Sequence, residues 1–433
     1  MYRLSFYNLI IPNLSDDKNV CIYNTKSGAI VKLEKATYDA LYDLKFDDSS
    51  VQSYIPELLR QGIIINENKN ELREILYNMK RRQFERTEMF SLVIAPTMQC
   101  NYRCIYCFED APSQQYIMGD AEIDNIVEFV KKRLKSCPAI KKIYVHWFGG
   151  EPLLAYEKVI RPLSQKLIEL AKEKGINYKS GIITNGYLLN IDVIKGLVEQ
   201  CLVSDYQITF DGRKANYIRM KRPPSNAYET TMQNMLSFSE YIASTDKKVK
   251  VYIRINVDKT NVDDAKSFVE EIKQNSQYKN NLHFYLGRIR GTASSFDVQD
   301  FESHENAFDE YSYRDLRFYE PKKIWCNQFT FNSFCIGPHG ELYKCEHDFG
   351  HEDRVIGDLI NGLYFNDFLD KYINQPIAAC CEECKIFPVC LGGCPNYKFH
   401  SVEQHSCEFT FNRVIQYAEY YVSHMHDRKL SNG

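Results

Sequence analysis

The chain has 433 residues, 26% of them charged, and a formal net charge of -3. That is too long for one ordinary core and too near neutral for nucleic acid or an anionic membrane to be the expected partner. No run approaches the roughly 18 apolar residues of a transmembrane helix, and an acidic turn in MYRLSFYNLIIPNLSDDKN occupies the place of a signal-peptide processing site, so a cytoplasmic protein is expected.

Residues 1–88 carry no clustered cysteine. NVCIYNTKSGAIVKL reads as two strands around a Lys-Ser-Gly turn, ATYDALYDL as a helix, and SVQSYIPELLRQGIII as a helix feeding a strand through Gln61-Gly62. This pattern predicts a small winged-helix-like domain, followed by the charged connector helix ENKNELREILYNMKRRQFERTE. From Ser91 the period changes. SLVIA, KIYVHWF, SGIITN, DYQITF, VYIRINV and LHFYLGRI are strand candidates, alternating with amphipathic stretches near 121–135, 156–173, 190–200, 226–243 and 262–274. Strands separated by helices predict βα units and a parallel sheet over residues 89–305, with chemistry at the C-terminal ends of the strands. Beyond about residue 300 the rhythm fails. FESHENAFDEYSYRDLRFYEPKK reads as a linker with some helix, FNRVIQYAEYYVSHMHD as a packed amphipathic helix, and residues 306–433 form a third part.

The cysteines sharpen the picture. Of 15, three lie in CNYRCIYC and nine between Cys326 and Cys407; an odd total at short spacings favours metal over disulfides. Cys100, Cys104 and Cys107 form a Cys-x3-Cys-x2-Cys loop just after the first strand candidate of the sheet. An iron–sulfur cube takes one thiolate per iron, so three thiolates leave one iron open to a non-protein ligand; zinc completed by a distant residue is the structural alternative. Cys21, Cys137 and Cys201 read as unligated thiols.

CxxxCxxC with Tyr106 before its last cysteine resembles the motif of the radical S-adenosyl-L-methionine (SAM) enzymes. The resemblance implies a partial (β/α)6 TIM barrel and a [4Fe-4S] cluster whose open iron chelates SAM and generates a 5'-deoxyadenosyl radical, fed by an electron donor such as flavodoxin or ferredoxin. In HWFGGEPLL, Gly149, Gly150, Glu151 and Pro152 look like the family's GGEP segment beside the SAM amino group. By the same resemblance Asn185 in ITNG, Gln207 and Asp211 in QITFDG, and Arg254 and Asn256 in RIN are expected near the ribose and carboxylate, with Ile289 against adenine. The later cysteines resemble the SPASM extension of peptide maturases, which carries two auxiliary [4Fe-4S] clusters. That likeness assigns Cys326, Cys335, Cys345 and Cys394 to the first and Cys381, Cys384, Cys390 and Cys407 to the second, with Cys380 left over. Structural zinc knuckles would use the same residues.

The N-terminal part resembles the leader-binding element of enzymes that modify ribosomally made peptides, so a precursor peptide with a leader sequence is the expected partner; a structural cap is the alternative. The resemblance further implies thioether crosslinks from cysteine sulfur to carbon. Glu346 and Asp348, beside Cys345, are the acidic candidates for taking up a proton. In anaerobic sulfatase maturases an Asp directly follows the matching cysteine, whereas here it is Glu346, which weakens a formylglycine-forming reading. Carbon–carbon crosslinking, epimerisation and a non-enzymatic iron–sulfur scaffold are the other outcomes.

Overall fold

The computed structural model describes all residues except 86, 110–114, 276, 279–280, 290–293, 297–319, 323, 325, 375–376, 395, 397–406 and 424–433. The anticipated linker thus lies almost wholly outside the described residues. The chain divides into two compact units, Met1–Glu85 with Asp315–Cys326 and Gln375–Gly433, and Arg86–Arg314 with Asn327–Asn374.

In the first unit β1 (Tyr2–Leu4) pairs with β5 (Ile64–Asn66), while β2 (Asn8–Ile10), β3 (Asn19–Asn24) and β4 (Ile30–Glu34) form an antiparallel sheet. The turn between β3 and β4 is set by Asn24, whose side-chain oxygen accepts from the backbone N–H groups of Lys26 and Ser27 at 3.1 and 2.8 Å. Helices α1 (Lys35–Tyr42), α2 (Ser49–Gln52), α3 (Ile55–Gln61) and α4 (Glu71–Glu85) complete the N-terminal segment. The single helix expected before β5 is two, because the chain breaks at Ser53-Tyr54 ahead of Pro56, which sits in the first turn of α3. On β3, Val20 and Ile22 face a core with Leu41, Val51 and Leu58. Cys21 and Tyr23 face a second core with Ile386, Val389, Val414 and Tyr417. Burial on both faces explains the unbroken apolar run VCIY.

The second unit is built on a ten-stranded sheet. Strands β6 (Met89–Ile94), β7 (Lys142–Trp147), β8 (Asn177–Thr184), β9 (Val203–Thr209), β10 (Lys250–Val257) and β11 (Leu282–Arg288) are parallel and sequentially adjacent. Between them run α5 (Asp120–Ser136), α6 (Arg161–Glu173), α7 (Ile191–Glu199), α8 (Lys214–Lys221), α9 (Ala227–Ser244) and α10 (Val262–Gln274). The α/β fold with a parallel sheet core agrees with the sequence expectation; α8 was not anticipated. Four further strands, β12 (Ser333–Ile336), β13 (Glu341–Tyr343), β14 (Gly357–Asp358) and β15 (Gly362–Leu363), extend the sheet past β6. Only β12 among them is parallel to its β6 neighbour. Alternation on β7 buries Ile143, Val145 and Trp147 on one face and leaves Tyr144 and His146 half-exposed on the other. Among the described residues no helix is long and apolar enough to cross a membrane.

Candidate active site

The cysteine loop leaves β6 and is tied down on two sides. Thr97 anchors its start, its hydroxyl donating to the Tyr116 carbonyl at 2.6 Å and accepting from the Gln99 N–H at 3.0 Å. On one side the Glu151 N–H donates to the Gln99 carbonyl at 2.7 Å; on the other the N–H groups of Arg103 and Ile105 donate to the carbonyls of Lys221 and Met220 at 3.1 and 2.9 Å. The Gly149-Gly150 pair lies so close that a Cβ on Gly150 would stand 2.3 Å from the Gln99 oxygen, and one on Gly149 2.5 Å from the Thr97 oxygen. Gly149 also has φ +99°, a second reason for glycine.

Glu151 is buried and fully engaged. Its carboxylate accepts from Leu153 N at 3.0 Å, Thr184 Oγ1 at 2.7 Å and Asn185 N at 2.8 Å, welding the turn after β7 to the end of β8. Pro152 opens the short helix that follows. Asn185 continues the weld, donating through Nδ2 to Asn101 Oδ1 at 2.8 Å. Both residues therefore position the cysteine loop with their side chains.

Across the sheet, Tyr106 donates its hydroxyl proton to Asp211, and Asn256 Nδ2 donates to the Tyr106 oxygen at 3.1 Å and to Asp211 Oδ1 at 3.2 Å. β7 and β8 lie between β6 and β9 in the sheet order, so the loop after β6 spans both to make this contact, as a sheet curled into a partial barrel allows. Arg254 Nε donates to Asn256 Oδ1 at 2.9 Å, its guanidinium lies 5.8 Å from the Tyr285 ring, and the Tyr285 hydroxyl donates to Gln207 Oε1 at 2.6 Å. Gly287 makes room for Arg254, since a Cβ there would be 2.5 Å from Nε. Tyr106, Asp211, Asn256, Arg254 and Gln207 thus form one network. Ile289 is buried just past β11, its N–H on the Val257 carbonyl at 3.0 Å.

Three features were not anticipated. Lys221 is 1% exposed, donates to Thr209 Oγ1 at 2.7 Å, and sits 5.7 and 5.9 Å from the rings of Tyr102 and Tyr217. Burial works against its charge, yet Asp211, Cys104, Tyr102 and Cys100 together raise its pKa. Tyr285 bridges the network from β11. Glu109, two residues past Cys107, is pushed up to about 7 by burial and the Glu151 charge.

Burial pushes the Cys100 thiol up to about 12 and Cys107 up to about 11. Cys104 also lowers the acidity of both, which places the thiols within electrostatic reach of one another. Among the described residues no three His, Cys, Asp or Glu side chains converge on a point as a single ion would require. A four-iron cube takes one thiolate per iron, so its thiols stand apart. Three neighbouring thiols facing a buried lysine, which offsets the negative charge of cluster thiolates, fit such a group.

The later cysteines fall in both units. In the second, Cys335 is buried on β12 among Val93, Ala95, Met98, Tyr343 and Phe349. Its thiol is raised by burial and by Glu346 and Cys345. The Cys345 Sγ lies 3.9 Å from Glu346 Oε2, and next to it His347 packs 4.2 Å from the Phe108 ring of the cysteine loop. Asp348 is fully buried, its carboxylate on the Tyr372 hydroxyl at 3.1 Å and Arg354 at 3.4 Å, and burial pushes it up to about 6 despite both partners. In the first unit, burial raises Cys390, with Cys384 and Cys407 adding to it. Cys407 in turn feels Cys380 and Cys384. Cys381 packs beside Ile75 and Phe387. Cys326 and Cys394 are half-buried in the same unit.

This fold and thiol loop define a class. Residues 94–277 match the model of the Radical SAM superfamily. The GTP 3',8-cyclase of Helicobacter pylori is 23% identical over 286 residues, 64% of this chain and 81% of the relative. The Fe-coproporphyrin III synthase of Methanosarcina barkeri is 23% identical over 263 residues, 59% of each. Among solved structures, native anSMEcpe with bound AdoMet and Cp18Cys peptide aligns over 80% of this chain and 100% of its own, at 19% identity and a TM-score of 0.59. Its similarity is one of fold.

Proposed function

We propose that the chain is a radical SAM enzyme that modifies a ribosomally made precursor peptide by forming cysteine thioether crosslinks. The observation that carries the enzyme reading is the cysteine loop packed onto Gly149-Gly150 and tied through Tyr106 to Asp211 and Asn256. A peptide substrate draws support from the peptide bound in the anSMEcpe structure. Cys100, Cys104 and Cys107 would hold the [4Fe-4S] cluster that binds SAM, and the two later cysteine sets would hold auxiliary clusters. When bound, these groups supply one-electron chemistry that removes a hydrogen atom from carbon and accepts the surplus electron.

The remaining work falls to the chain's own residues. The Arg254–Asn256–Asp211–Tyr106 network and Lys221 present fixed dipoles and charges at the C-terminal ends of the strands. Glu346, beside Cys345 and facing His146, takes the proton from the substrate thiol. Asp348, held by Tyr372 and Arg354, supports that segment from below. β4 pairs with β3 along one edge, leaving the other for a leader strand in this reading. A cytoplasmic location with a flavodoxin or ferredoxin as electron donor completes it.

Mass spectrometry of a precursor peptide after anaerobic reaction with reconstituted enzyme, SAM and reductant tests the proposal. Loss of two hydrogens per crosslink with fewer alkylatable thiols is expected. The same loss with every thiol still alkylatable overturns the thioether and favours a carbon–carbon bond.

A further inference from the structure

Below the polar network, the inner face of the sheet is lined by side chains that a filled barrel would not use. Packed barrels of this type fill their interior with branched aliphatic residues in layers. Here Tyr144 and His146 on β7 lie with rings 6.2 Å apart, and Tyr252 and His283 on β10 and β11 lie 5.5 Å apart. All four keep partial exposure although they face inward, so solvent reaches this wall of the sheet. Gly181 on β8 is part of the design. A Cβ there would stand 2.8 Å from the Tyr144 hydroxyl and 3.1 Å from His146 Nδ1.

At the N-terminal ends of the same strands the lumen is ringed by cations. Lys142 on β7 lies 5.5 Å over the Tyr144 ring. Lys179 on β8 is in register with Tyr144 on β7, and Asp205 on β9 with Gly181 on β8; burial and Lys179 lower the pKa of Lys142, with Asp205 acting against them. Lys250 on β10 is in register with Asp205 on β9 and helps lower the pKa of His283. Asp205 also faces Tyr144 and His146. The collar therefore has three lysines to one aspartate. Among the described residues none of the three lysines is drawn into an ion pair, unlike Lys166, which meets Asp124 at 2.6 Å. An excess of cations over carboxylates around an opening raises the local concentration of anionic ligands.

We propose that Lys142, Lys179 and Lys250 form a substrate-recognition collar for an acidic stretch of peptide, one whose Asp or Glu side chains meet the lysines while its backbone runs along the wall of Tyr144 and His146. This rests on the peptide-modifying reading above and adds the substrate's chemistry. A wall of rings running along the strands suits an extended chain better than a nucleic-acid helix.

Fluorescence anisotropy on the reconstituted holoenzyme tests it, with labelled Ser–Glu, Ser–Gln and Ser–Lys repeat peptides of equal length as probes. The Ser–Glu probe should bind about tenfold tighter than Ser–Gln, an advantage that shrinks at high ionic strength. Combining Lys142→Gln, Lys179→Gln and Lys250→Gln should abolish that tenfold preference. Combining Lys142→Glu, Lys179→Glu and Lys250→Glu should transfer it to Ser–Lys; circular dichroism and iron content confirm that each variant is folded and loaded. Equal binding of all three probes overturns the collar, as does a preference that survives the glutamine variant. Displacement of the probe by GTP and not by unlabelled Ser–Glu peptide also overturns it, in favour of a nucleotide. An enzyme that crosslinks a precursor while ignoring the Ser–Glu probe refutes the collar alone. One that binds the probe and modifies no peptide keeps the collar and refutes the crosslinking reading.

Discussion

Replacing Gly150 with alanine tests the link between the Gly149-Gly150 turn and the cysteine loop. The added Cβ would meet the Gln99 oxygen at 2.3 Å and the Met98 oxygen at 2.4 Å, both backbone atoms that no rotamer change can move aside. Comfortable contacts between heavy atoms begin near 3.5 Å, so one backbone must retreat by about 1 Å. Overpacking of this kind costs about 1–3 kcal/mol of stability. A displacement of about 1 Å in a positioned reacting group costs roughly 100-fold in rate. The assay is 5'-deoxyadenosine formation by anaerobically reconstituted enzyme, normalised to bound iron. Gly175→Ala is the matched control. It has φ +64° but nothing within 4 Å of its Cβ, so it should lose about 1–2 kcal/mol through backbone strain alone and keep its rate. A Gly150→Ala enzyme with wild-type rate and iron content would refute the reasoning.

Tyr106→Phe removes the hydroxyl shared by Asp211 and Asn256, and leaving a buried acceptor short of a donor costs about 1–3 kcal/mol; SAM affinity by equilibrium dialysis should fall about tenfold. Glu346→Gln should lower crosslinked product at least tenfold, roughly, in an endpoint mass assay while SAM cleavage continues, because it removes a proton acceptor and leaves the cysteine loop intact. Equal loss of both would assign Glu346 a structural role. Asp348 is raised from the ordinary carboxylate value to about 6, so the folded state holds its proton longer than the unfolded chain does. Stability from this group is therefore greatest below about pH 4 and declines as pH rises towards about 6, by roughly 3 kcal/mol in all. Denaturant titrations across that window should show a steeper decline for wild type than for Asp348→Asn, and parallel curves would contradict the assignment.

Much of the barrel was legible because its strands are short apolar runs separated by amphipathic helices, and β10 and β11 begin within one residue of the expected segments. The polar residues Gln207, Asp211, Arg254 and Asn256 sit at or near strand ends, where the fold itself brings them together. Lys221 was hidden for a physical reason. It stands between Arg219 and Arg222, which are both exposed, and nothing local distinguishes the buried cation from its neighbours. Glu151 and Asn185 were expected as cofactor contacts, but a sequence motif does not reveal that their side chains bond to the backbone and to Asn101. The core that Cys21 and Tyr23 share with Ile386 and Val414 was equally invisible, since it joins opposite ends of the chain. Nor does the short run SFCI announce β6 as the partner of β12.

Electron paramagnetic resonance of the reduced enzyme, with and without SAM, tests the central claim most directly. Wild type should give a reduced [4Fe-4S] signal that changes on adding SAM, and combining Cys100→Ala, Cys104→Ala and Cys107→Ala should remove that SAM-sensitive component while leaving any auxiliary signals. A SAM-sensitive signal that survives in the triple variant would contradict the assignment of these thiols to the SAM-binding cluster.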